Sequence, residues 1–256
     1  MSRIQKAFEN KKAFIAFLTA GDPALDKTEE YILEMERAGA DLIEIGIPFS
    51  DPIAEGPVIQ EADIRALSGG VTTDDIFDMV KKLREKTEIP LVFMTYLNPV
   101  FHYGYEAFFE RCQDVGIDGI IIPDLPFEEK EEFLPVCRRY GVELISLIAP
   151  TSKDRIAMIA REAEGFLYVV SSLGVTGARS EIKTDLASMM ETVRQNTHIP
   201  AAIGFGISTP EQAKRMAELA DGVIVGSAIV KLLEQHGKDA PGCIGAYVKT
   251  MKDAIR

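Results

Sequence analysis

Eight short apolar runs rich in β-formers recur along the chain, at 14–19, 41–46, 91–96, 119–122, 143–148, 166–171, 201–205 and 222–226. Each is too short for a core helix, which marks it as a buried strand. Helical patterns fill the intervals. In 28–39, Tyr31, Ile32 and Met35 fall on one face and Gly39 supplies a stop; in 209–220, Pro210 opens a helix whose Ala213, Met216 and Ala217 face inward. Eight strands alternating with helices predict a closed parallel (β/α)8 barrel, an α/β fold. The competing open doubly wound sheet usually has fewer strands and a GxGxxG after the first, a motif absent there.

A length of 256 residues suits one barrel, and no linker or low-complexity segment interrupts it, so 1–256 reads as a single domain. The expected embellishments are a short extra N-terminal helix and inserted helices after strands 2 and 8. The insertion after strand 2 should begin at Pro57, a favoured first helical residue. A second long connection, 173–185, follows strand 6. Long loops at the C-terminal ends of barrel strands are where lids and catalytic groups sit.

The net charge of -12 argues against nucleic acid and anionic membranes as partners. It also means that a phosphate ester would need positive potential supplied locally. Cys112, Cys137 and Cys243 have neither zinc spacing nor a disulfide framework, which fits a reducing cytoplasm. No run approaches a membrane span, and residues 1–14 lack the apolar stretch of a secretory signal. His102, His198 and His236 share no metal-binding spacing, so no metal is expected. The acidic run 128–132 reads as a solvated helix start.

Two features carry chemistry. In EIGIPFSDPIAEGP (44–57), Glu44 lies inside an apolar strand, where an ionised carboxylate costs several kcal/mol to desolvate, about 3 or more. Glu55 follows in a loop broken by prolines and glycines. Two carboxylates converging at a strand mouth suit proton transfer. Second, Gly204, Phe205 and Gly206 end strand 7, while Gly226 and Ser227 end strand 8 just before a helical pattern. Barrels commonly bind phosphate at this pair of loops through backbone amides and a helix N-terminus. None of these residues is cationic, so amide dipoles would supply the potential. Gly174 and Gly177 could complete the cup.

Five segments, FLTAGDP (17–23), EIGIPFSDPIAEGPVIQ (44–60), SSLGVTG (171–177), GFGIS (204–208) and DGVIVGSAIV (221–230), occur in the order found in tryptophan synthase α subunits, and the chain resembles that family over nearly its whole length. The resemblance implies retro-aldol cleavage of indole-3-glycerol phosphate to indole and glyceraldehyde 3-phosphate, with no cofactor in this chain. It makes Glu44 the catalytic acid and base. Glu55 becomes the acceptor of the indole N–H, at a position where the family usually has aspartate. Thr176 would be a lid residue contacting that loop carboxylate. Tyr168 would reach the substrate from strand 6. Phe17, Ile59, Met94 and Ile121, with Phe205, would form an apolar slot for the ring. Gly177, Phe205, Gly206, Gly226 and Ser227 would bind phosphate.

The resemblance also implies a partner, a pyridoxal-phosphate β subunit in an α2β2 complex. The stiff segments bearing Pro48, Asp51, Asn98 and Pro126 would face it. Other barrels of aromatic biosynthesis fit less well: an indole-glycerol-phosphate synthase would want a strand lysine, and a phosphoribosylanthranilate isomerase a Cys or Asp on strand 1, and neither is present. A non-catalytic α-like subunit, with Glu55 as its trace, is the alternative of a different class.

Overall fold

All strand pairings are parallel, and the strands follow one another around the sheet in the order β5-β4-β3-β2-β1-β9-β8-β7-β6. The computed structural model describes residues 1–171, 185–204 and 206–256. Its strands are β1 (Ala13–Thr19), β2 (Leu42–Gly46), β3 (Leu91–Met94), β4 (Gly119–Ile121), β5 (Glu143–Leu144), β6 (Ser146–Ile148), β7 (Leu167–Val170), β8 (Ala201–Gly204) and β9 (Gly222–Val225). The fifth expected strand is therefore two. β5 pairs with β4 and β6 with β7, and only Ile145 separates them. The Ile145 N–H still donates to the Ile120 carbonyl at 2.9 Å. The two edges of the sheet are thus halves of one segment that changes neighbours in mid-course, and the barrel closes there.

Period-2 alternation splits the core in two. Inward-facing Ile15, Phe17, Val92, Met94, Ile121 and Tyr168 fill the barrel. Outward-facing Phe14, Leu18, Ile43, Ile45 and Phe93 pack beneath the helices, against residues such as Tyr31, Ile32 and Met35. Burying a side chain of this size contributes about 1.5–3 kcal/mol.

The helices are α1 (Arg3–Ala7), α2 (Leu25–Ala38), α3 (Pro57–Ser68), α4 (Thr73–Arg84), α5 (Leu97–Tyr103), α6 (Tyr105–Val115), α7 (Lys130–Arg139), α8 (Lys153–Arg161), α9 (Leu186–Asn196), α10 (Pro210–Leu219), α11 (Ser227–His236) and α12 (Ala240–Ala254). The expected extra helix is α1, whose Ile4 plugs the barrel floor. The expected insertion after β2 is α3, starting at Pro57, and two helices follow β9. α2 stops at Gly39, whose φ of 110° few other residues tolerate. α10 starts from a Thr209–Gln212 capping box.

One helix was not expected. α5 follows β3, where Asn98-Pro99 suggests a rigid loop. Pro99 lies in the first turn, where an amide has no acceptor within the helix, so proline is tolerated. No helix among the described residues is long and apolar enough to cross a membrane.

At the N-terminal ends of the strands, half-buried carboxylates are saturated. Asp41 accepts from the Phe14 N–H at 2.7 Å and pairs with Lys11 and Lys252, each at 2.6 Å. Asp118 accepts from the Leu91 N–H at 2.9 Å and pairs with Arg84 at 2.7 Å and Arg3 at 3.2 Å.

Candidate active site

Glu44 occupies the centre of β2, in register with Phe17 of β1 and Val92 of β3. Alternation points it into the barrel, where it is 1% exposed. Neither carboxylate oxygen has a hydrogen-bond partner. With no donor or cation to offset desolvation, burial pushes its pKa up to about 8. It is a proton-bearing acid at neutral pH.

Glu55 sits in the β2–α3 loop, also buried. The Tyr96 hydroxyl donates to its carboxylate and accepts from the Ala54 N–H at 2.8 Å. The Phe49 ring packs on Tyr96 with centroids 5.3 Å apart, and the Gln60 amide donates to the Glu55 carbonyl at 2.9 Å. The loop is therefore fixed from both sides of Glu55. Burial, reinforced by nearby Asp63, raises the Glu55 pKa to about 8. Asp63, on α3, is itself pushed up to about 7 by burial, partly offset by hydrogen bonds from the Phe49 N–H and from the Thr19 hydroxyl at 3.4 Å.

Tyr168, on β7, is buried beside both glutamates, and burial followed by their charges drives its phenol pKa well up. Gly204 makes room for it: a Cβ there would lie 2.6 Å from the Tyr168 hydroxyl. The close approach at Gly204 is thus by a side chain of the barrel itself. Gly206 does need its glycine for the turn, at φ 81°.

Both glutamates and Tyr168 line one cavity of about 800 Å³, counting the space at its open mouth. Glu44, Glu55, Phe17, Ile59, Met94 and Tyr168 contribute to its wall, and so do Gly206, Gly226 and Ser227. Gly226 caps α11 without a side chain, and helix geometry leaves the first-turn amides with no acceptor inside the helix. The cavity therefore combines an apolar wall, two proton-holding acids and a helix start suited to an anion. Among the described residues no cluster of three or more His, Cys, Asp or Glu could hold a metal ion.

Several expected positions fall elsewhere. Ile121 belongs to the same interior cluster but is fully buried and does not line the cavity. Thr176, Gly177, Gly174 and Phe205 lie outside the described residues. Asp51, Asn98 and Pro126 are exposed. Pro48 is not: directly after Ile47, which joins the outer core, it is buried and offers no surface to a partner. Two exposed apolar side chains went unread, Ile53 (73%) in the β2–α3 loop and Phe101 (69%) on α5. Tyr96, Asp63 and Lys231 were also missed. Lys231 had one legible signal, its spacing of four from Ser227, which puts both on one helix face.

Fold and cavity together define a (β/α)8-barrel protein whose interior cavity is lined by two buried carboxyl groups. The family model described as tryptophan synthase alpha chain matches residues 4–255. The tryptophan synthase alpha chain of Lactiplantibacillus plantarum is 52% identical, the alignment covering 100% of this chain and 97% of that one. That of Lacticaseibacillus casei is 49% identical, covering 100% and 96%. Among solved structures, the Legionella pneumophila tryptophan synthase alpha chain is 38% identical with a TM-score of 0.88, covering 100% of this chain and 97% of that one. A Pyrococcus furiosus chain from a study of mutual activation in the tryptophan synthase α2β2 complex is 37% identical with a TM-score of 0.87, covering 94% and 98%. The chain belongs to the tryptophan synthase alpha chain family.

Proposed function

We propose that this chain is a carbon–carbon lyase that cleaves indole-3-glycerol phosphate to indole and glyceraldehyde 3-phosphate. The observation that carries the reading is Glu44: a buried carboxyl without hydrogen-bond partners, facing a cavity that also contains the start of α11. A carboxyl with a pKa near 8 is protonated at neutral pH and can deliver its proton to indole C3. The glycerol hydroxyl on the adjacent carbon then loses its proton to the Glu44 carboxylate. Its O–H electron pair becomes the aldehyde C=O. The C–C bonding pair returns to the ring, and indole leaves. Glu44 ends protonated, ready for the next turnover.

Glu55 accepts the indole N–H and stabilises the positive charge that develops on the ring. Its raised pKa means that it holds a proton for much of the time in the free cavity. A bound N–H, together with the Tyr96 hydroxyl, favours its charged form. The Tyr96 contact also accommodates the glutamate where the family usually has aspartate, because it draws the longer carboxylate toward β3. Phe17, Ile59, Met94 and Tyr168 hold the ring, and Gly206, Gly226 and Ser227 the phosphate.

The reading extends to an α2β2 complex with a β subunit that carries pyridoxal phosphate. Asp51, Asn98 and Pro126, with exposed Ile53 and Phe101, form the docking face. A second cavity shares Ala54 and Met94 with the first and reaches Ile53, so it offers indole a path toward that face. Free cysteines Cys112, Cys137 and Cys243 suit a reducing cytoplasm.

The test is indole release from indole-3-glycerol phosphate, with and without an added β subunit. Release that rises with the β subunit supports lyase and partner together. Binding without release under either condition would replace this reading with a non-catalytic one.

A further inference from the structure

The substrate proposed above carries a phosphate near two negative charges, in a chain whose own net charge is -12. Backbone dipoles at a helix start supply only about half a positive charge. The structure contains a full one. Lys231 is the only cationic residue among the described residues lining the active-site cavity.

Its position follows from helix geometry. In α11, Ser227, Ala228 and Lys231 all line the cavity, and residues four apart lie on the same face. The lysine is thus one turn behind the amides that start the helix. Its charge is also uncommitted. No ion pair or hydrogen bond engages Lys231 among the described residues, in a chain where 40 acids outnumber 28 Lys and Arg. An acid stands at helix spacing, Glu234, but it is taken: Arg65 from α3 pairs with it at 3.2 Å while holding Asp22 at 2.8 Å. Arg65 thereby keeps Glu234 occupied, and Lys231, an exposed residue, stands at the cavity wall without a competing acid among the described residues.

We propose that Lys231 is a substrate-binding residue whose ammonium supplies the formal positive charge for the phosphate ester at the start of α11. The assignment rests on the phosphate-ester reading of the cavity. It adds a formal charge to the amide dipoles expected there. The role is electrostatic and confined to binding, because the lysine is not among the groups placed at the reacting carbon atoms.

The test titrates sn-glycerol 3-phosphate into the parent chain, Lys231→Gln and Lys231→Arg by calorimetry, at low and high ionic strength, alongside steady-state cleavage of indole-3-glycerol phosphate. Lys231→Gln should raise both Kd and KM about five- to tenfold at low ionic strength, with kcat within about twofold. The gap should narrow in high salt, and Lys231→Arg should bind like the parent. Parent and Lys231→Gln binding equally, with the same salt dependence, would make Lys231 a solvated surface lysine and overturn the proposal. A fall in kcat at unchanged KM would overturn it as well. A parent chain that binds no glycerol 3-phosphate would remove the phosphate-ester reading itself, and the role of Lys231 with it.

Discussion

The two ends of the barrel treat their carboxylates in opposite ways. At the N-terminal end, Asp41 is held by two lysines and a backbone amide, and Asp118 by two arginines and a backbone amide. At the other end Glu44 is buried more deeply still and has no hydrogen-bond partner, and Glu55 has a neutral phenol in place of a cation. A carboxylate met by cations and N–H donors ties elements together. A buried carboxyl denied them keeps its proton until chemistry removes it. The same residue class thus serves as a fastener at one end and a proton carrier at the other. What differs is the company each is given.

Glu44→Gln keeps the shape but cannot give and retake a proton, so indole release should fall about 10⁴-fold while glycerol 3-phosphate still binds. A loss under tenfold would remove Glu44 from the chemistry.

The second effect is on stability. A glutamate ionises near 4.5 when unfolded and near 8 in this fold. Between those values the folded chain holds a proton that the unfolded chain has released, so stability falls as pH rises through this window and levels off above it. Glu44→Gln never ionises. It should match the parent below pH 4.5 and exceed it by about 5 kcal/mol above pH 8, read by urea unfolding across pH. A difference that does not change with pH would mean that Glu44 is solvated in the native state.

At the opposite end the sign reverses. Asp118→Ala strands Arg84 and Arg3 and should destabilise the fold by about 3 kcal/mol, with indole release per folded molecule nearly unchanged. Lost activity in protein that remains folded would show that the two ends are coupled. The smallest effect sharpens the comparison. Tyr96→Phe keeps the packing on Phe49 and removes the phenol from Glu55 and Ala54, so kcat should drop about tenfold with little change in KM. An unchanged kcat would mean that the Gln60 contact and the loop's prolines place Glu55 without the phenol.

The N-terminal latch was hidden in the sequence and the barrel was not. Strands announce themselves locally, as apolar runs between turn formers, and α2, α3 and α10 are marked by Gly39, Pro57 and Thr209 at their own ends. Glu44 stood out because a charge interrupts an apolar run. Tyr96 and Asp63 gave no such sign, since their contacts with Glu55 span 41 residues in one case and a helix packed across the loop in the other. Pro99 suggested a loop because first-turn proline and loop proline look alike without the cap. The division of the fifth strand at Ile145 depends on which neighbours each half finds, and only closure decides that. Gly204 fitted the phosphate pattern, yet its missing Cβ accommodates Tyr168.

The latch at Asp41 has a consequence for synthesis. Lys252 reaches Asp41 across 211 residues of chain and also donates to the Lys12 carbonyl at 2.7 Å. On the ribosome, β1 and β2 emerge long before α12, so Asp41 must wait with only its local partners until translation has passed residue 252. The barrel can collapse co-translationally, but its floor cannot be locked until the last helix has left the exit tunnel.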